Sequence, residues 1–290
     1  MSTTVLSDRS LKIGCGEWGF REMPMEEHFR IAKQLGFKTL EFGIGGGQNG
    51  RLPDELTKAD HHQFSALSQD YDIRTPFCCL ENDFTLPDAK KHQKMVTYVR
   101  RLLPEAKLLG ATHVRLFAGF TPSEEMTEAI WQRMFEAFTL CQSDCQSLNL
   151  QLAIETHGNL DWSRGVARHR HTVSTKSTDV QRLLAELPPA IGFNFDPGNL
   201  KAVAPDDKTF LLPQLNPRIN YCHLKDWKQQ DDGWVACAIG DDDLDYGPVF
   251  EQLAFDGVCL IEYEPLDDVP AGIRRSLMYL DKLGISYRLV

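Results

Sequence analysis

Short runs of apolar and β-branched residues alternate along this chain with longer stretches in which apolar residues recur every three or four positions. The runs at 11–15 (LKIGC), 37–42 (FKTLEF), 73–79 (IRTPFCC), 112–117 (THVRLF), 150–157 (LQLAIETH), 191–196 (IGFNFD), 219–226 (INYCHLKD) and 258–264 (VCLIEYE) predict eight strands. Between them, 24–35, 53–70, 88–109, 122–147, 176–187 and 269–283 predict amphipathic helices, with weaker helical signals at 206–215 and 247–254. In 122–147, Ile130, Met134, Ala137 and Cys141 repeat at the spacing that lines one helix face. Near-continuous apolar strands separated by helices imply a parallel sheet with the helices packed outside it.

Eight such units predict closure into an α/β fold, a (β/α)₈ TIM barrel forming a single domain over 1–290. An open doubly wound sheet fits less well, because the first strand lacks the GxGxxG fingerprint. GIGGGQNG at 43–50 has no Lys-Ser or Lys-Thr to complete a phosphate loop and predicts a permissive turn.

The last four strands begin apolar and end polar. The fifth ends in Glu155 and His157, the sixth in Asp196, the seventh in His223 and Lys225, and the eighth in Glu262 and Glu264. A strand sends alternate side chains to opposite faces, so each pair two residues apart can point into the barrel mouth. Acids gathered there repel one another unless a cation lies between them. Glu155, Asp196, His223 and Glu262 offer three carboxylates and an imidazole, a ligand set for Mn²⁺, Mg²⁺, Co²⁺ or Zn²⁺, with Mn²⁺ or Mg²⁺ foremost.

Composition narrows the partners. The formal net charge of -10 disfavours nucleic acid. The opening residues lack a signal-peptide pattern and no segment approaches a membrane span, so no membrane contact and a cytoplasmic location are expected. Eight cysteines, several inside apolar strands, read as small core residues rather than a disulfide or zinc framework.

With these residues in view, the chain resembles the sugar-phosphate isomerase/epimerase superfamily of xylose-isomerase-like barrels, which includes ketose 3-epimerases and inosose isomerases or dehydratases. The resemblance rests on IETH (154–157), FDPGN (195–199), HLKD (223–226), IGDDDLDYGPVF (239–250) and IEYE (261–264). It implies metal ligation by Glu155, Asp196, His223 and Glu262, with Glu155 and Glu262 also acting as acid and base from opposite faces of the substrate. Where the 3-epimerases usually carry a histidine three positions after the strand-six aspartate, this chain has Asn199. Related barrels often close their mouths against a neighbouring subunit, which makes a homodimer or homotetramer an expectation.

The expected chemistry is isomerisation or epimerisation of a small polyhydroxy carbonyl compound through an enediolate, with a dehydratase or other carbon–oxygen lyase sharing the same first step. A nonenzymatic binding barrel with a structural metal is the third class. His157 is an alternative acid or base. Lys225 is expected to hold a substrate oxygen or to pair with Asp226 or Glu264. Glu17, Trp18, Glu41, Arg115 and Phe117 are expected to complete the pocket, unless Arg115 pairs with Glu41. Two insertions, from 158 and from 227, are expected at the rim. The first carries Arg164, Arg168, His169, Arg170 and His171, and Trp162 is expected to cover the mouth or anchor that loop; in the second, the acidic run 241–245 reads as a structured loop with a solvated face.

Overall fold

The computed structural model describes residues 10–290; the opening residues 1–9, including the leader reading made on them, lie outside that description. Eight parallel strands close into a ring: β1 (Leu11–Cys15), β2 (Thr39–Ile44), β3 (Arg74–Leu80), β4 (His113–Phe117), β5 (Gln151–Glu155), β6 (Gly192–Phe195), β7 (Ile219–Leu224) and β8 (Val258–Ile261). Closure comes from β1 against β8, with Lys12 to Cys15 opposite Val258 to Ile261. A short C-terminal strand, β9 (Tyr287–Leu289), pairs with the lower part of β1, and β1 meets β2 only at Cys15 and Leu40.

The helices are α1 (Met25–Gln34), α2 (Lys58–Asp70), α3 (Ala89–Leu108), α4 (Glu128–Ser147), α5 (Ser177–Glu186), α6 (Pro197–Val203), α7 (Leu212–Leu215), α8 (Tyr246–Gln252) and α9 (Val269–Lys282). Two differ in extent from the periodicity for a local reason. Helix α2 starts at 58 rather than 53 because Thr57 forms a capping box with Asp60. The span 122–147 divides into a 3₁₀ turn (Ser123–Glu125) and α4, whose first turn is capped by Thr57's counterpart here, Thr127. The 206–215 signal yields only the single turn α7.

Helix α6 was not foreseen. Asp196 caps it and Pro197 occupies its first turn, a start signal that reads equally as a loop. The glycine-rich 43–50 segment is the permissive turn expected, with Gly45, Gly46 and Gly47 all at positive φ.

The two rim insertions form antiparallel hairpins, one pairing Asn159–Asp161 with Arg168–Arg170, the other Asp226–Gln230 with Gly233–Cys237. A bridge between Ala167 and Trp234 joins them. Among the described residues, no helix is long and apolar enough to cross a membrane.

Most buried apolar side chains, such as Leu152, Ile154, Cys222 and Leu224, belong to the shell between strands and helices. A separate cluster of Phe77, Ala153, Tyr221 and Leu260 comes from alternate positions of β3, β5, β7 and β8 and fills the barrel interior. Two residues further along the same strands stand Cys79, Glu155, His223 and Glu262, all buried. The interior is therefore layered, apolar below and ionisable at the C-terminal mouth.

Candidate metal centre

The upper layer brings together the four residues expected to bind metal. One ligating atom each from Glu155, Asp196, His223 and Glu262 falls within 4.8 Å of all the others. Glu155 ends β5, Asp196 follows β6 as the cap of α6, His223 lies on β7, and Glu262 follows β8. His223 Nδ1 is 3.4 Å from Glu262 and 3.7 Å from Glu155.

The other imidazole nitrogen, Nε2, is 2.8 Å from Glu41 Oε1. That carboxylate also accepts from the Tyr221 hydroxyl at 2.5 Å and the Cys79 thiol at 2.9 Å. Burial would raise its pKa, but His223 and Arg115 outweigh burial and hold Glu41 below the usual carboxylate range. An ionised Glu41 holds the N–H on His223 Nε2 and leaves Nδ1 on the side of the three acids, the nitrogen that would ligate an ion once its own proton is displaced. Glu41, Cys79 and His223 also lie close enough to form a ligand group. Burial, however, pushes the Cys79 thiol pKa far up, so Cys79 serves as a hydrogen-bond donor to Glu41.

Electrostatics favour a cation at the cluster. Burial, then Glu262 and Glu155, push Asp196 up to about 7. Burial works against charge on His223, yet Glu262 and Glu41 hold its pKa well above the ordinary histidine value. Glu155 stays well below the carboxylate range: burial opposes this, and Arg115 and His223 prevail. Three oxygen donors and one imidazole suit a hard or borderline divalent ion.

Above the cluster opens a cavity of about 260 Å³ lined by Trp18, Arg115, Phe117, Phe120, His157 and Lys225 together with Glu155 and Glu262. This volume suits a small ligand. The Nδ1 of His157 is 2.6 Å from its neighbour's carbonyl, the Gly158 oxygen, and therefore carries the proton. The ring lies edge-on to Phe117 and Phe120, and burial lowers its pKa, leaving a neutral imidazole with Nε2 as acceptor. Lys225 Nζ lies 2.9 Å from Glu262 and 2.5 Å from Glu264. Burial opposes its charge, but Glu262, Glu264 and Asp196 keep it an ammonium.

Several expectations change. Arg115 pairs with Glu155, its Nε 2.8 Å from Oε2, because Glu41 is already taken by donors on β3 and β7. Lys225 pairs with Glu264, as one alternative had it, and not with Asp226, which Lys201 holds at 2.8 Å. Trp18, Arg115 and Phe117 line the cavity, whereas Glu17 sits behind it, 3.2 Å from the buried Arg51, and Glu41 lies beneath His223. The arginines of the first insertion face away from the cavity: Arg164 and Arg168 hold Asp232 of the second hairpin, and Arg170 holds Glu124 and Glu125. Trp162 is 54% exposed and does not cover the mouth. The acidic run is structured as expected, with Asp242 and Asp243 gripping Lys201.

Phe120, Asn159, Leu160 and Glu81 also line the cavity and were not singled out by sequence. Phe120 follows Phe117, the last residue of β4, by only three residues, the sole local signal for it. Glu81 follows β3 directly, and Asn159 and Leu160 lie on an unforeseen hairpin.

A closed eight-stranded parallel barrel with a carboxylate–imidazole cluster at its C-terminal mouth defines a TIM barrel with a candidate divalent-metal centre. The chain belongs to the xylose isomerase-like TIM barrel family, whose model matches residues 29–283. Its fold is similar to that of the IOLI protein with a binding zinc atom, at a TM-score of 0.75 and 13% identity over 95% of this chain and 99% of that one. It is similar also to 3-keto-D-glucoside 4-epimerase, YcjR, from E. coli, with TM-score 0.69 and 15% identity over 94% and 100% of the two chains. A third similar structure is the probable 3-DHS dehydratase AsbF from Bacillus anthracis, with TM-score 0.70 and 15% identity over 93% and 99%. At these identities the likeness is one of fold.

Proposed function

We propose that this protein is a divalent-metal-dependent isomerase or epimerase acting on a sugar, inosose or related polyhydroxy carbonyl compound through an enediolate. The observation that carries this reading is the convergence of Glu155, Asp196, His223 and Glu262 within 4.8 Å at the floor of a small cavity that also presents His157 and Lys225. A divalent ion held by those four residues, with Mn²⁺ or Mg²⁺ the first choices and Co²⁺ or Zn²⁺ the next, supplies electrostatic stabilisation of the oxyanion that develops as an α proton leaves. The zinc of the similar IOLI structure supports a site of this charge.

Glu155 and Glu262 belong to strands separated by β6 and β7, so a substrate carbon can lie between their carboxylates. One takes the α proton. The other returns a proton to the adjacent carbon, giving isomerisation, or to the opposite face of the same carbon, giving epimerisation. Neutral His157 accepts a hydrogen bond from a substrate hydroxyl through Nε2, and the Lys225 ammonium donates one to a substrate oxygen. Phe117 and Phe120 exclude water from one side.

A second reading rests on Lys225. A charged donor beside Glu262 can protonate a departing β-hydroxyl, which would make the protein a dehydratase, and the likeness to the probable dehydratase AsbF supports keeping it. Metal-loaded protein incubated with ketoses, inososes and keto-acids in deuterated water separates the readings. Deuterium incorporation without loss of water supports isomerisation; an enone or deoxy product supports elimination; absence of exchange across the panel favours a binding barrel.

A further inference from the structure

We propose that Asn199 and Trp227 are a positioning pair that sets the geometry of the Glu155 and Asp196 carboxylates and ties it to the two rim hairpins. This rests on the metal-centre reading above, and its test does not depend on turnover.

Asn199 is fully buried and touches both acids. Its side-chain nitrogen is 3.0 Å from Asp196 Oδ2 and 3.4 Å from Glu155 Oε1, and its backbone N–H donates to Asp196 Oδ1 at 3.0 Å. An amide can be turned either way, so something must choose. The Trp227 indole N–H, 3.1 Å from Asn199 Oδ1, can only donate, which obliges the oxygen to face the indole and the NH₂ to face the carboxylates. Each carboxylate oxygen engaged in this way retains a second lone pair for an ion.

The spacing between Asn199 and Trp227 is fixed by packing. A Cβ at Gly198 would stand 2.5 Å from the Lys225 carbonyl oxygen, so α6 approaches the end of β7 as closely as only glycine permits. Trp227 is fully buried at the root of the second hairpin, and His169 of the first hairpin meets its ring edge-on at 4.7 Å. With the Ala167–Trp234 bridge joining the hairpins, one indole contacts both rim insertions and the support of two ligand carboxylates.

The test uses the full chain and Mn²⁺ as probe, with affinity read by competition with a chromogenic chelator and hairpin order by amide hydrogen exchange. Trp227→Phe keeps a six-membered ring and removes the N–H together with the rest of the indole's five-membered ring; it is expected to weaken Mn²⁺ binding about 10-fold, and Asn199→Leu about 100-fold, the span found for partners that orient metal ligands. In wild type, Mn²⁺ is expected to slow exchange in both hairpins, and in Trp227→Phe that slowing is lost. Metal-free melting temperature is recorded alongside, and Trp227→Phe carries the decision if Asn199→Leu does not fold. Wild-type Mn²⁺ affinity in Trp227→Phe overturns the pair, whatever its melting temperature. A wild-type protein that takes up no Mn²⁺ overturns it together with the metal centre, whereas one that binds Mn²⁺ and exchanges no substrate proton sinks only the isomerase reading.

Discussion

The two interior layers of the barrel are built by the same strands and differ in everything else. Phe77, Ala153, Tyr221 and Leu260 pack with no charge among them, with the Phe77 and Tyr221 rings 4.9 Å apart at a steep angle. Two residues higher, Glu155, His223 and Glu262 crowd ionisable groups into equally buried space. Apolar burial stabilises the lower layer, whereas buried like charges cost stability unless paired with a cation. The contrast separates what holds the barrel closed from what it presents. Tyr221 spans both, its ring below and its hydroxyl on Glu41 above.

Breaking the upper layer is expected to have the largest effect. Glu262→Gln should lower proton exchange about 10²- to 10⁴-fold, the range for a lost acid–base group, with metal retained. Exchange that is unchanged in deuterated water would remove Glu262 from the catalytic pair. Breaking the lower layer should do the reverse: Phe77→Ala is expected to lose about 3–5 kcal/mol in urea unfolding while its Mn²⁺ affinity, measured at low denaturant, stays at the wild-type value.

Acid separates the layers from the rest of the core. His28, buried against Phe20 and 3.1 Å from the Met23 carbonyl, has its pKa lowered to about 4 by burial. The unfolded chain takes up that proton first, so stability is full above the ordinary histidine value near pH 6.5 and falls as pH drops towards 4, by roughly 3 kcal/mol. In His28→Phe, metal-free melting curves should lose this part of the acid slope. The smallest effect belongs to the exposed base of the barrel, where Lys12 meets Asp256 at 2.7 Å. Lys12→Ala should cost less than about 1 kcal/mol, a difference that shrinks further in high salt.

Much of this was legible along the chain. Strand ends such as IETH and IEYE displayed the period-two change from apolar to acidic, so Glu155 and Glu262 were readable before any fold was known. The same rule directed His223 to the mouth, where it lies buried beside Glu155 and Glu262. Helix α6 escaped because Asp196-Pro197 serves equally as a loop and as a helix start, and the hairpins because 159–161 and 168–170 are too short and too polar to show alternation.

The order of strands, the polarity of their ends and the four residues that could ligate an ion were legible in local pattern, since alternation and periodicity act within a few residues. Which groups meet was decided only by closure. Glu41 finds His223 across 182 positions, Arg115 takes Glu155 instead of Glu41, and Trp227 reaches Asn199 because α6 packs on the end of β7. Those contacts depend on the register and stagger of a closed sheet, a property of all eight strands together that no single segment encodes.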